Sequence, residues 1–255
     1  MMRTVFRMLR FIGFTLLEYL RSGRIMIDLI AATVFFVIFL RPSGRSIEAS
    51  YFFTVTGIFM FGLTLYTLSA MLSIGDRPQG YLLLTRRLDR TSYLLGYYYS
   101  ALALLGGIYG LICLVTALLN APSELTLGGW FLGTLPLLLN VALLAALLLM
   151  LSPLVFSPGW RLFVLGLIAL AFSSNFIPTS IYSALPGTIQ VLLDSAQTIL
   201  SWPLVPGFSG FALAVQRNYD ASALFIIIAQ LSLLVALLGL AIYSFGQRDL
   251  MFSNQ

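Results

Sequence analysis

The chain has 255 residues, 60% of them hydrophobic and 9% charged, with a mean hydropathy of +0.98. A soluble domain carries about 25% charged residues, so this composition belongs to an integral membrane protein. There is no histidine, one cysteine (Cys113), and all fourteen basic residues are arginines, giving a net charge of +5. Without lysine the chain cannot build a G-x-x-x-x-G-K-[ST] phosphate loop and does not hydrolyse ATP by that route. Without histidine it lacks the means for His/Cys zinc sites and for Ser–His or Cys–His nucleophile pairs. The charge suits an anionic leaflet, and nothing points to nucleic acid.

Residues 1–24 form an amphipathic element. At about 100° per residue, Arg3, Arg7, Arg10, Glu18 and Arg21 share one side of a helix, and Val5, Leu9, Ile12, Leu16 and Leu20 share the other. Such a helix lies in the membrane interface, arginines near phosphates and apolar side in acyl chains. A signal peptide and a cytosolic helix packed on a partner are the competing readings. Glu18 and Arg21 interrupt any signal core, and no small-residue cleavage site follows.

Six apolar runs follow: residues 25–40, 51–74, 93–119, 129–156, 162–176 and 221–245. About 20 residues at 1.5 Å rise cross the hydrocarbon core, and the first and fifth runs are short. Their continuous apolarity excludes a β-barrel. Asp28, just inside the first run, is a functional suspect as a buried acid, but Arg24 four residues earlier offers an ion pair. Ala103, Gly106, Gly107 and Gly110 make small-xxx-small pairs in the third run and read as helix packing. Asn140 in the fourth receives no role.

Between the second and third runs, residues 75–92 concentrate charge as Asp76–Arg77, Arg86–Arg87 and Asp89–Arg90 around "YLLL". The segment predicts a short amphipathic helix, with Tyr81, Leu82, Leu84 and Leu88 as a compact apolar surface. Its mixed signs suit docking to a protein better than binding lipid, and a plain positive-inside anchor is the alternative. Residues 177–220, between the fifth and sixth runs, are broken by Pro178, Pro186–Gly187, Pro203 and Pro206–Gly207. The stretches "TIQVLLDSAQTILSW" and "GFSGFALAV" predict two short helices dipping back from the outer face, with a loose outer loop as the alternative. With both termini inside, eleven arginines fall on the cytoplasmic side and three (Arg41, Arg45, Arg217) outside, which orients the chain.

These features together resemble the membrane subunit of an ABC transporter of the type-2, exporter-associated permease class. The similar residues are "DRPQGYLLL" (76–84), Arg90, "YLLG" ending at Gly96, and the late "LPGTIQVLLDSAQTILSWPLVPGFSGFAL". Arg86–Arg87 stand near the family's usual proline, and Tyr97 stands where a lysine is common. The resemblance implies an all-α membrane fold: one transmembrane domain over residues 1–255, with an N-terminal elbow helix, six spans, a cytoplasmic coupling helix and outer re-entrant helices. It implies that Asp76, Arg77, Gly80, Tyr81, Leu84, Arg86, Arg87, Asp89 and Arg90 contact a separate nucleotide-binding ATPase subunit, present in two copies. ATP and magnesium would bind that partner, with no cofactor, metal or catalytic residue in this chain. A second permease, identical or paralogous, would complete a path for a hydrophobic or amphipathic export substrate such as a lipid, drug or peptide. The second and fifth spans tend to line that path, which implicates Phe52, Thr56, Phe59, Met60, Thr64, Tyr66, Thr67, Ser173 and Asn175. For each of these, ordinary helix packing is the competing reading. The expected location is the cytoplasmic (inner) membrane.

The main rival is a secondary transporter or channel without an ATPase. Such carriers usually place ionisable groups near the midplane, and spans two to six have none well inside. An intramembrane enzyme lacks obvious actors. An accessory subunit without its own path stays open.

Overall fold

The structure, a computed structural model, describes residues 2–42, 47–75, 89–123, 125–156, 158–171, 190–191, 194–195, 198–199, 201–217 and 219–247. Its helices are α1 (Met2–Arg21), α2 (Arg24–Phe35), α3 (Ala49–Gly75), α4 (Arg90–Leu119), α5 (Leu127–Met150), α6 (Pro158–Ala171), α7 (Val205–Gln216) and α8 (Ala221–Gln247). Among the described residues there is no β-strand, only a single bridge between Glu48 and Ser123. Among the described residues four helices, α3, α4, α5 and α8, are long and apolar enough to cross a membrane. The bent pair Phe6–Arg21 and Arg24–Leu40, turned by 75°, makes a fifth if counted as one span.

The bend has a local cause. The amides of Ser22 and Gly23 close the last turn of α1 on Glu18 and Leu20, and Ser22 Oγ caps the Tyr19 carbonyl at 2.8 Å. Gly23 then adopts φ 74°, a left-handed conformation that a side chain resists, and α2 starts in a new direction. After Phe35 the helix widens into a π-turn, Phe36–Leu40. The fourth apolar run, 129–156, becomes helix only to Met150 and then the turn Leu151–Phe156, because Pro153 cannot continue the amide ladder. At the other end of α5, Thr126 Oγ1 accepts from Gly129 N at 3.2 Å as an N-cap.

Helix α1 has three sides rather than two. Leu9 and Leu20 are exposed, as an acyl-chain face requires, with Ile12 and Leu16 partly covered. The third side, Phe11, Thr15 and Tyr19, is buried against α4. The Phe11 ring lies 5.5 Å from Tyr93 and 5.4 Å from Tyr97, over Gly96, where a Cβ would overlap that ring.

Helix α5 is the hub, packed by α3, α7 and α8, while α4 carries α1 and α3. Lipid tails are as apolar as these side chains, so close van der Waals fit holds the bundle together more than water exclusion does. Phe53 fills the hollow at Gly133 and lies with Phe52 around Trp130. Phe35 stacks on Phe59 at 4.2 Å, joining α2 to α3. Two tyrosines on α4 bond α5, Tyr98 to the Ala142 carbonyl at 3.1 Å and Tyr109 with Thr134 Oγ1 at 2.9 Å. The Ala103–Gly107–Gly110 stripe does not pack within the chain: a Cβ at Gly106, Gly107 or Gly110 meets nothing within 4 Å. Within this chain that face of α4 is open, because α1, α3 and α5 all pack on its other sides.

The ends of the bundle differ in charge. One end gathers Arg24 on Ser73, Arg90 Nη1 on the Gly246 carbonyl at 3.0 Å, and Arg161 at the start of α6. The opposite end joins Asn120 to the Leu40 carbonyl at 3.1 Å and the Ser123 amide to Ile47 at 2.8 Å.

Gly96→Val will push Phe11 off its seat. The expected loss is about 1–3 kcal/mol of stability, the cost of overpacking, read as a lower thermal midpoint by thiol labelling of the half-buried Cys113. Phe11→Ala should relieve part of the loss in the double variant. An unchanged midpoint in Gly96→Val would mean that α1 does not dock on α4.

Candidate functional site

A carboxylate buried in a membrane bundle needs donors, and Asp28 has them from two other elements. Tyr19 donates its hydroxyl to Oδ2 at 2.6 Å, and Thr67 donates to Oδ1 at 3.1 Å. Asp28, Tyr19 and Thr67 are all fully buried. Arg24 does not pair with the acid as its i, i+4 spacing predicts. Its guanidinium reaches across to α3, donating to the Ala70 carbonyl and, at 2.8 Å, to Ser73 Oγ. The reason is geometric: α2 and α3 run antiparallel, so Asp28 faces Thr67 while Arg24, one turn earlier, faces residues one and two turns later. Among the described residues Asp28 is the sole buried carboxylate.

A second polar cluster lies deeper. Gln230 Nε2 on α8 donates to Asn140 Oδ1 on α5 at 2.7 Å, both side chains buried. Asn140 Nδ2 and Gln230 Oε1 have no partner among the described residues. Helix α7 lies against this pair. A Cβ at Gly207 would lie 3.9 Å from Asn140 Oδ1, and one at Gly210 would overlap the Gln230 amide. Phe211 of α7 fills the space over Gly57 and lies 5.6 Å from Phe61, both on α3. The start of α7 thus sits level with the middle of α5, and its C-terminus leads back toward α8. The stretch "GFSGFALAV" is this helix; of "TIQVLLDSAQTILSW", the described residues 190–191, 194–195, 198–199 and 201 are helical.

The residues implicated in a substrate path occupy defined places. Phe52, Thr56, Met60, Thr64 and Thr67 are completely buried inside this chain, and Phe59 and Tyr66 are partly buried. Thr64 donates to the Met60 carbonyl at 2.6 Å, the ordinary bond of a hydroxyl inside a membrane helix. Thr67 serves Asp28, and Thr56 Oγ1 has no partner among the described residues. Ser173 and Asn175 lie outside the described residues. So do Asp76, Arg77, Gly80, Tyr81, Leu84, Arg86 and Arg87; of the charged segment only Asp89 and Arg90 are described, at the start of α4. Arg90 clasps the end of α8.

Two structural participants carry no motif. Tyr19 is one residue from Glu18 in an amphipathic stretch and reads as interfacial. Gln230 is a single amide in an apolar run. The usable signal was the acid itself: a buried carboxylate whose nearest arginine is needed elsewhere demands hydroxyl donors, and Tyr19 and Thr67 are at hand.

Comparison with known proteins finds no matching family model, no matching curated protein and no matching solved structure. The geometry therefore stands on its own.

Removing the 2.6 Å donor leaves the acid under-bonded. Tyr19→Phe should cost about 1–3 kcal/mol, seen as a lower thermal midpoint, and Arg24→Gln should cost clearly less. Equal losses would restore Arg24 as the counter-ion of Asp28. At the deeper cluster, Gly210→Ala should lower the midpoint in the wild-type background and be nearly neutral beside Gln230→Ala. Additive effects there would deny the contact between α7 and the amide pair.

Proposed function

We propose that this chain is the transmembrane permease subunit of a type-2 ABC transporter. In this reading it forms a substrate path with a second permease copy and is driven by two copies of a separate nucleotide-binding ATPase, which bind ATP and magnesium. The cargo is a hydrophobic or amphipathic substrate (lipid, drug or peptide), and the direction is export. The six-span arrangement counts α2 with its π-turn as the first crossing and α6 as the fifth. The chain then lies in the cytoplasmic (inner) membrane, both termini and the arginine-rich end facing the cytoplasm.

One observation carries the reading. An amphipathic helix set at 75° to the helix that follows it is locked to α2 and α3 through Asp28 and to α4 through Phe11, at the end where the arginines gather. A helix lying in the interface and rigidly tied to three helices of the bundle suits a subunit moved as a body from below. The short α7, inserted against α3, α5 and α8 just before the last membrane-length helix, supports the same reading.

The rival, a carrier or channel needing no ATPase, draws on the one buried acid among the described residues, since intramembrane carboxylates often move protons or sodium. Asp28 sits near the end of the bundle and is occupied by two hydroxyl donors, which favours a structural joint.

Tagged protein solubilised in mild detergent should bring down an ATP-hydrolysing subunit. Arg86→Glu with Arg87→Glu should weaken that association or uncouple hydrolysis from transport. Purified protein that alone moves cargo down an ion gradient in sealed vesicles would establish the rival instead.

A further inference from the structure

At the arginine-rich end, the last turns of α3, the Leu151–Phe156 turn and the first turns of α6 leave a cleft of about 640 Å³. That volume falls within the range of small-molecule sites, about 300–1,000 Å³. Its wall is divided. Leu72, Leu162 and Leu165 make one part apolar, while Ser73, Ser152 and Arg161 make the other polar. Ser152 is 3% exposed and its hydroxyl has no partner among the described residues. Arg161 likewise finds no carboxylate or other acceptor among the described residues. A second guanidinium, that of Arg24, binds Ser73 at the rim. No acidic side chain lines the cleft among the described residues.

We propose that this cleft holds the headgroup of an anionic phospholipid from the leaflet at the arginine-rich end, its phosphate on the Arg161 guanidinium. Charge and depth select that occupant. Two arginines with no carboxylate partner among the described residues leave the site positive, and a phosphate offers acceptors to the guanidinium. Trp160, next to Arg161, is 62% exposed and edge-on to Phe163. An exposed tryptophan at the start of an apolar helix marks the headgroup level of a bilayer. Leu162 and Leu165 are exposed on the same helix, so acyl chains leaving the cleft run down a surface that already faces lipid. A free phosphate ion would use the polar wall and leave the leucines idle. The inference does not rest on the proposed transport function, and its test involves no ATPase.

The test is native mass spectrometry of the full chain in detergent, titrated with phosphatidylglycerol or phosphatidylcholine. Wild type should retain one phosphatidylglycerol per chain, several-fold more than phosphatidylcholine at equal concentration. Arg161→Gln should bring the two lipids level, and Leu165→Trp, which fills the apolar half, should abolish retention of both. Millimolar inorganic phosphate should not displace the lipid. Equal retention of the two lipids by wild type, or a preference that survives Arg161→Gln, overturns the proposal. Displacement by phosphate alone makes this an anion site and also overturns it. If Arg161→Gln fails to fold, the decision passes to Leu165→Trp, where undiminished retention counts against the cleft.

Discussion

A carboxylate taken out of water is costly unless donors replace the hydration it loses, and Asp28 obtains them from two helices other than its own. That requirement shapes the arginine-rich end of the molecule. Tyr19 must come back over the start of α2, which the left-handed Gly23 permits. Thr67 must face inward, which sets the register of α3 against α2. With that register in place, Arg24 lies opposite the Ala70 carbonyl and Ser73 and anchors the tail of α3. Replacing the acid with a well-packed apolar side chain need not destabilise the fold, because buried charge is weak support for stability. Its value is in specifying one joint geometry out of several that leucines alone would accept.

The rest of the bundle follows a second economy. Most of the described polar side chains inside the bundle either bond their own helix or meet across helices, Thr56 being an exception. Thr15, Thr33, Thr54, Thr64, Ser100 and Ser232 return to carbonyls four residues back, which keeps the hydroxyls satisfied without linking elements. Tyr98, Tyr109 and Gln230 instead tie α4 and α8 to α5. Glycines set how closely the helices approach, since Gly96, Gly133 and Gly57 each receive a phenylalanine ring from a neighbour. Aromatic knobs in glycine hollows give the close fit that association in lipid depends on.

Hydropathy made the membrane-length helices legible, because an apolar run of more than 20 residues has few other uses in so uncharged a chain. Pairing was less legible. The i, i+4 spacing of Arg24 and Asp28 describes one helix by itself, and the antiparallel neighbour α3 offered each side chain a different partner. Amphipathic periodicity caught the exposed side of α1 but not Phe11, Thr15 and Tyr19, since two faces look complete until α4 supplies a third surface. On the polar face of the second run the bonds are described only in part. Thr64 and Thr67 are used inside the chain, a matter of which way α3 is rotated, and no periodicity reveals rotation when every face of a helix is apolar. The small-residue stripe on α4 likewise names no partner: it predicts close packing, and this chain leaves that side open.

If the arginine-rich end is displaced, the described contacts determine which parts move together. Arg90 holds the end of α8 to the start of α4, so the charged segment that ends at Asp89–Arg90 is coupled directly to the last span. Phe11 couples α4 to α1, and Asp28 couples α1 to α2 and α3. Displacing the arginine-rich end would thus carry α1, α2, α3, α4 and α8 as one body rather than tilt a single helix. The contacts of α7 lie higher, at Asn140, Gln230 and Phe61, where the amide pair keeps unspent donor and acceptor capacity. A buried amide pair only half satisfied is a weak point in an otherwise close-packed bundle, because a small rotation costs it one bond and offers another. The least satisfied contact among the described polar groups deep in the bundle is thus the Asn140–Gln230 pair, against which the glycines of α7 are packed.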